Sequence, residues 1–154
     1  MIPWKAKYSR SKKPHNKKCP FCNPEKSLVI WEGKNVYVLL NKYPYNVGHL
    51  MVIPYRHIDS ILALNDDELR EMWIAIKTSI QALKEAYNVD SFNIGVNIGP
   101  YSGGSVTHVH VHVVPRYKQE LNFIDIISAT RVLIENVETT AKKLRSIIEN
   151  IMRK

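Results

Sequence analysis

Residues 105–116 read Ser-Val-Thr-His-Val-His-Val-His-Val-Val-Pro-Arg, and no other stretch limits the fold as much. His108, His110 and His112 stand at alternate positions, with Val109, Val111, Val113 and Val114 between and after them. Strict alternation of a polar with a β-branched residue predicts a strand with two unlike faces. Side chains two apart on a strand share a face and lie about 6.6 Å apart along it. The pattern therefore predicts three imidazoles on one side of a sheet, with the valines directed into the core. A single histidine in a strand is commonly a satisfied polar group. Three in register give a core nothing that apolar residues would not give better, so the pattern points to chemistry.

Such a strand needs neighbours, and the chain supplies them. Residues 27–31 and 36–40 are apolar, β-rich runs around Glu-Gly-Lys-Asn, which predicts a hairpin. Residues 41–48 form a turn-rich loop, and 49–54 read as a third strand closed by Pro54. Residues 92–98 alternate Phe, Ile, Val, Ile as a fourth strand, and Gly-Pro-Tyr-Ser-Gly-Gly at 99–104 turns the chain into the histidine stretch. The clearest helix spans 65–87. Asn65 can cap it, Glu68 completes a capping-box spacing, and Leu69, Met72, Trp73, Ile76, Ile80, Leu83 and Tyr87 form one apolar stripe, read as core. Val137, Ala141, Leu144, Ile148 and Ile151 suggest a C-terminal helix. Strands joined by short turns cannot all be parallel, so the expected class is α+β: an antiparallel sheet with helices packed on it.

With 154 residues, one domain is expected, large enough for a core without disulfide staples. Residues 1–18 read as a basic N-terminal arm, with Trp4 and Tyr8 able to pin it to the body. No apolar run approaches 18 residues, and the first residues lack an apolar signal core, so a cytoplasmic protein is expected, with no membrane partner. The formal charge is +8, with excess between Lys5 and Lys18 and at Lys142, Lys143, Arg145, Arg153 and Lys154. A basic surface suits an anionic substrate such as a nucleotide. Neither an aromatic-rich RNA-binding motif nor a zinc-finger helix accompanies it, which argues against nucleic acid as the partner.

The only cysteines are Cys19 and Cys22, in Cys-Pro-Phe-Cys. A thioredoxin-like site would follow a strand and open a helix, whereas this pair follows a basic arm. Metal binding is the better reading, but two cysteines are half of a zinc site, and two further ligands must come from elsewhere.

The histidines themselves suggest phosphoryl chemistry. An imidazole near a phosphate can donate protons or attack phosphorus. Attack needs a neutral ring with one free nitrogen, the other being protonated and held, commonly by a backbone carbonyl. The central residue, His110, suits the nucleophile, with one neighbour serving the leaving oxygen or phosphate and the other doing structural work. Just upstream, Gly103, Gly104 and Ser105 offer backbone N–H groups and a hydroxyl to phosphate oxygens.

These residues resemble a known family. His108-Val-His110-Val-His112-Val-Val is similar to the His-x-His-x-His-x-x motif of the histidine triad (HIT) superfamily of nucleotide hydrolases and transferases. Residues 41–57 resemble that family's first half-site, and Asn97-Ile-Gly runs into the Gly-Gly-Ser turn at the expected spacing. The similarity covers roughly residues 19–117, and the chain is expected to be one HIT domain over 19–154 with a C-terminal extension from 118. Val-Pro-Arg-Tyr, Asn122-Phe123 and Thr130-Arg-Val-Leu are similar to the diadenosine tetraphosphate phosphorylase and hydrolase branch.

The resemblance implies a five-stranded antiparallel sheet with one long central helix and a C-terminal helix, and a homodimer whose sheets join edge to edge. It implies that His110 forms a nucleotidyl-histidine intermediate on the α-phosphate of a dinucleoside polyphosphate or adenylylated substrate, carrying a purine nucleotide. It places His112 at the phosphate and scissile oxygen, Asn97 and Ser105 on phosphate, Asn41 on ribose, and His49 near the active site. Zinc-bearing members imply a structural Zn²⁺ held by Cys19, Cys22, His57 and His108, with His15 a rival ligand. Gly104 departs from the Gln found in many relatives, removing a side-chain donor to phosphate. A nucleotide-binding, zinc-stabilised interaction module with little turnover is the alternative.

Overall fold

A computed structural model of the chain describes residues 19–118 and 135–153. The basic arm with Trp4, Tyr8 and His15 lies outside the described residues, as do the Asn122-Phe123 and Thr130-Arg-Val-Leu segments.

Five strands form one antiparallel sheet: β1 (Val29–Glu32), β2 (Val36–Leu40), β3 (Leu50–Pro54), β4 (Ser91–Val96) and β5 (Val111–Arg116), in the order β1-β2-β3-β5-β4. Helix α1 (Asp66–Tyr87) lies across β2, β3 and β5, and helix α2 (Val137–Met152) packs against α1 and β1. The expected α+β class, five antiparallel strands and two helices are all present.

Every residue of β2 and β3 is buried, because these strands are covered on both faces. Their near-continuous apolar sequences, Val-Tyr-Val-Leu-Leu and Leu-Met-Val-Ile-Pro, reflect that double burial. On the helix side, Val36, Val38, Leu40, Leu50, Val52, Val111 and Val113 pack against Met72, Ile76, Leu83, Leu144 and Ile148. On the opposite face, a smaller cluster joins Phe21, Leu28, Tyr37, Leu39, Met51 and Ile53. A fully buried leucine such as Leu83 contributes about 1.5–3 kcal/mol by leaving water.

Helix α1 starts where its sequence says it should. The Asn65 side chain accepts from Glu68 N–H at 2.9 Å, and the Glu68 carboxylate accepts from Asn65 N–H at 2.9 Å, the reciprocal capping box. Truncating an N-cap side chain of this kind costs about 1 kcal/mol. The helix ends on Asn88, whose left-handed φ of 51° an asparagine tolerates. Arg56 also grips Glu68 through two hydrogen bonds of 2.9 and 2.7 Å, tying the β3 exit to the start of α1. The Arg56 guanidinium holds the Glu68 carboxyl below the usual range, against the opposing effect of burial. Gly48 permits the entry into β3. Its φ is 81°, and a Cβ there would sit 2.7 Å from Leu83.

Two expectations are corrected. The histidine strand begins only at Val111, so His108 and His110 precede the ladder. The β3–β5 pairing runs only from Leu50–Val113 to Val52–Val111. Further along, Pro54 has no N–H to continue a ladder, and the backbone turns to other partners: Val109 N–H donates to Ile58 O at 2.7 Å. Leu69 and Trp73 are also not core, being 38% and 64% exposed. The buried face of α1 is instead built on Met72, Ala75, Ile76, Thr78, Ser79, Ala82 and Leu83. Small residues let the helix sit close to its neighbours, and an apolar period alone does not register them.

Candidate active site and metal centre

His112 sits on β5 opposite Met51 of β3 and Gly95 of β4, so its ring occupies the sheet face away from the helices. The three motif histidines stay adjacent although only one is in the ladder. The His110 and His112 ring centroids are 4.7 Å apart, and the Phe21 ring lies 4.9 Å from His110 and 5.9 Å from His108. Which nitrogen each ring commits separates their roles.

His110 Nδ1–H donates to the carbonyl oxygen of His108 at 2.8 Å. The ring is 6% exposed, and burial lowers its pKa below the ordinary histidine value, with the His108 carbonyl opposing. The result is a neutral imidazole with its proton on Nδ1 and its lone pair on Nε2, the form a nucleophile requires.

His112 takes its tautomer from a second, buried chain. Tyr45 N–H donates to His49 Nδ1 at 3.0 Å, so that nitrogen carries the lone pair. His49 Nε2–H then donates to His112 Nδ1 at 2.9 Å. The hydrogen of His112 is thereby placed on Nε2, where it can be offered to an oxygen in a hydrogen bond. His49 is 0% exposed, and its pKa falls to about 3 through burial, then through the neighbouring His112 and His110. It cannot charge near neutral pH, so it orients and does not itself exchange a proton with solvent. Asn41 is brought to the same place. Its amide nitrogen lies 3.3 Å from His49 Nδ1, and its carbonyl oxygen accepts from Tyr43 N–H at 2.9 Å.

Asn97 and Gly104 meet across the turn between β4 and the histidine segment. A Cβ at Gly104 would come within 3.0 Å of the Asn97 Cβ, so a larger residue there would crowd Asn97. The departure from Gln noted in the sequence is therefore matched by local space. Ser105 is exposed on the same turn.

The remaining ligating groups converge separately. Cys19, Cys22, His57 and His108 place one ligand atom each within 4.8 Å of all the others. Cys19 Sγ lies 3.3 Å and Cys22 Sγ 3.7 Å from His108 Nδ1, and Cys22 Sγ lies 3.2 Å from His57 Nδ1. Two sulfurs and two nitrogens around a tetrahedral zinc stand about 3.3–3.8 Å apart, from the metal–ligand lengths. The four residues fit such an ion. His108 Nε2–H donates to Pro54 O at 2.9 Å, which frees Nδ1 as the ligand and fixes the ring. Burial and the adjoining Cys19 sulfur both push the Cys22 thiol up, so a cation is what would let both sulfurs ionise together.

Three contributors were not singled out in the sequence. Tyr45 supplies the N–H that sets the His49 tautomer, and its ring lies tilted at 37° with its centroid 4.7 Å from that of His49. Pro54 supplies the carbonyl that orients His108. Phe21 packs edge-on against His110. The first two act through backbone groups, which leave no trace in residue identity. Only Phe21 had a signal, as a large apolar residue inside a cysteine knuckle.

The depressed His49 pKa has a consequence for stability. The unfolded chain binds a proton at this residue near pH 6.5, whereas the folded chain does so only near pH 3, so its contribution to stability is present above pH 6.5 and is lost as pH falls toward 3. In His49→Gln, the fall of the denaturation midpoint across that window should be shallower than in wild type. Equal slopes in pH-resolved urea titrations would contradict the assignment.

Comparison with known proteins agrees with this geometry. The HIT domain family model matches residues 23–119. The chain is 41% identical over 126 residues to a protein of Mycobacterium tuberculosis named AP-4-A phosphorylase, an alignment covering 81% of this chain and 65% of that relative. It is 30% identical over 104 residues to the asymmetrical bis(5'-nucleosyl)-tetraphosphatase of Schizosaccharomyces pombe, covering 68% of this chain and 57% of that protein. The chain thus spans less than two thirds of the length of either curated relative. The crystal structure of a Zn-bound histidine triad family protein from Mycobacterium smegmatis superimposes with a TM-score of 0.72 at 25% identity, covering 88% of this chain and 96% of that one. The histidine segment, the sheet that carries it and the match over most of the described residues establish that this chain belongs to the HIT domain family.

Proposed function

We propose that the protein is a nucleotidyl hydrolase or transferase acting on the α-phosphate of a dinucleoside polyphosphate or adenylylated purine nucleotide. The carrying observation is the pair of opposite tautomers: His110 with its lone pair on Nε2, beside His112 with its proton on Nε2. One ring can attack while the next donates. His110 Nε2 forms the P–N bond at the α-phosphorus, the bond from phosphorus to the bridging oxygen breaks, and that oxygen leaves as a phosphate anion that accepts a hydrogen bond from His112 Nε2–H. Water, or inorganic phosphate in a phosphorylase, then attacks the nucleotidyl-histidine and releases the nucleotide. Two inversions give net retention at phosphorus. Asn97, Gly104 and Ser105 would hold phosphate oxygens, and Asn41 the ribose. The names of the two curated relatives support both endings of the reaction.

In His110→Asn, turnover of diadenosine tetraphosphate should fall by at least about 10³-fold while nucleotide binding persists, since the nucleophile is lost and the pocket is kept. Equal rates in variant and wild type would reject the assignment and favour a binding module. Assaying the wild type with and without inorganic phosphate separates hydrolase from phosphorylase.

The metal in this reading is a structural Zn²⁺ on Cys19, Cys22, His57 and His108, a closed set of four protein ligands that leaves no position for a reacting water. A thiolate pair of this kind suits a reducing, cytoplasmic setting. Elemental analysis should find one zinc per chain, and Cys22→Ser should lower both zinc content and thermal stability. A stoichiometrically metal-free, fully stable wild type would exclude the site.

A homodimer completes the proposal, with two sheets joined through β4. The β1 edge is blunted, because Arg145 donates to Ser27 O and Val29 O at 2.9–3.2 Å. Among the described residues, β4 is the last strand of the sheet with no further strand beside it, and its Ile94 is 43% exposed. Sedimentation should give a dimer for wild type and a monomer for Ile94→Pro, which removes an N–H that faces away from β5; a monomeric wild type would reject the arrangement.

A further inference from the structure

The HIT motif and the cysteine knuckle meet at one residue that neither of them requires. Phe21 lies between Cys19 and Cys22, where a metal site needs only the flanking sulfurs. Pro20 beside it is exposed, whereas Phe21 is 9% exposed and turned inward. Its ring meets the His110 imidazole edge-on, with centroids 4.9 Å apart and planes at 63°. It also touches His108, the residue whose carbonyl holds His110 Nδ1.

The ring is held firmly. Cys22 N–H donates to Cys19 O at 3.2 Å, closing the knuckle into a turn. The carbonyl of Phe21 accepts from the Tyr37 hydroxyl at 2.7 Å, and Tyr37, 1% exposed, is anchored in β2. The backbone of Phe21 is therefore tied to the sheet independently of the sulfurs.

His110 needs such a support. One hydrogen bond from Nδ1 decides which nitrogen is free, but a single bond to a carbonyl leaves the ring able to tilt about it. Among the described residues, its other ring neighbour is His112, at 4.7 Å, which in the proposed reaction must itself meet the substrate. Phe21 is the neighbour with no chemistry to do.

We propose that Phe21 is a positioning residue that braces the His110 imidazole against tilting, so that Nε2 stays aimed at phosphorus. This rests on the reading of His110 as the nucleophile. The knuckle then has a second role besides holding a metal: it delivers an apolar edge to the reactive ring. Misplacement of a reacting atom by about 1 Å can cost on the order of 10²-fold in rate.

The test compares wild type, Phe21→Leu and Phe21→Tyr as full-length, zinc-loaded chains with diadenosine tetraphosphate. Rapid-quench measurement should show nucleotidyl-His110 formation slowed by about 10- to 100-fold in Phe21→Leu, with KM little changed, and near wild type in Phe21→Tyr, which keeps the ring. Zinc content should be equal in all three. ¹⁵N-histidine NMR should show one sharp His110 ring in wild type, with cross-peaks to Phe21, and a broadened one in Phe21→Leu. An unchanged first turnover in Phe21→Leu would overturn the proposal, as would an effect confined to KM, which would mean that the ring touches substrate. A rate loss that follows lost zinc would overturn it too. If wild type forms no covalent intermediate, the nucleophile reading fails separately. The bracing itself is then decided by NMR, where an unchanged His110 ring in Phe21→Leu rejects it.

Discussion

The hydrogen bond from His110 Nδ1 to the carbonyl of His108, 2.8 Å long, is the constraint on which the site depends. It converts an ordinary imidazole, with two interchangeable nitrogens, into one with a defined lone pair. The same residue, His108, offers its ring to the cysteine cluster and its carbonyl to His110. Anything that shifts its backbone therefore disturbs the cysteine–histidine cluster and the orientation of the His110 ring together. The Pro54 carbonyl at the end of β3 holds the His108 ring and the Ile58 carbonyl beyond it accepts from Val109 N–H, so the segment is fixed by these contacts and not by a strand ladder.

Burial makes these tautomers dependable. A buried donor or acceptor without a partner costs about 1–3 kcal/mol, so each ring nitrogen is strongly biased toward the arrangement that satisfies it. The chain from Tyr45 through His49 to His112 works in this way. His49 contributes because it cannot be protonated under ordinary conditions. A charged ring there would donate at both nitrogens and clash with Tyr45 N–H. Two hydrogen bonds from distant parts of the chain fix the loop before β3 that carries Tyr45. Asn46 donates to Pro115 O at 2.7 Å, and Tyr117 donates to Val47 O at 2.9 Å.

The basic charge is partly absorbed by the fold. Arg145 caps the β1 edge, and Lys143 pairs with Glu135 while lying over the Tyr87 ring. Glu135 also accepts from the hydroxyls of Tyr87 and Thr140, anchoring the start of α2 against the end of α1. These cations serve packing and sheet protection, so the net charge of the chain overstates what is available to an anionic ligand.

The sequence by itself determined the class of fold, the capped long helix, the separation of two cysteines from three histidines and the resemblance to the HIT family. Those features rest on residue identity and spacing: β-branched alternation, an Asn-x-x-Glu cap and a motif of three alternating histidines. Tertiary structure decided where the histidine strand starts, because that depends on Pro54 and Ile58, residues distant in the chain. It also decided that Trp73 and Leu69 face outward while Ala75, Ser79 and Ala82 carry the close packing. Above all it assigned protons to ring nitrogens. Those assignments come from backbone N–H and C=O groups that nearly every residue carries, and only the folded chain determines which of them reach an imidazole.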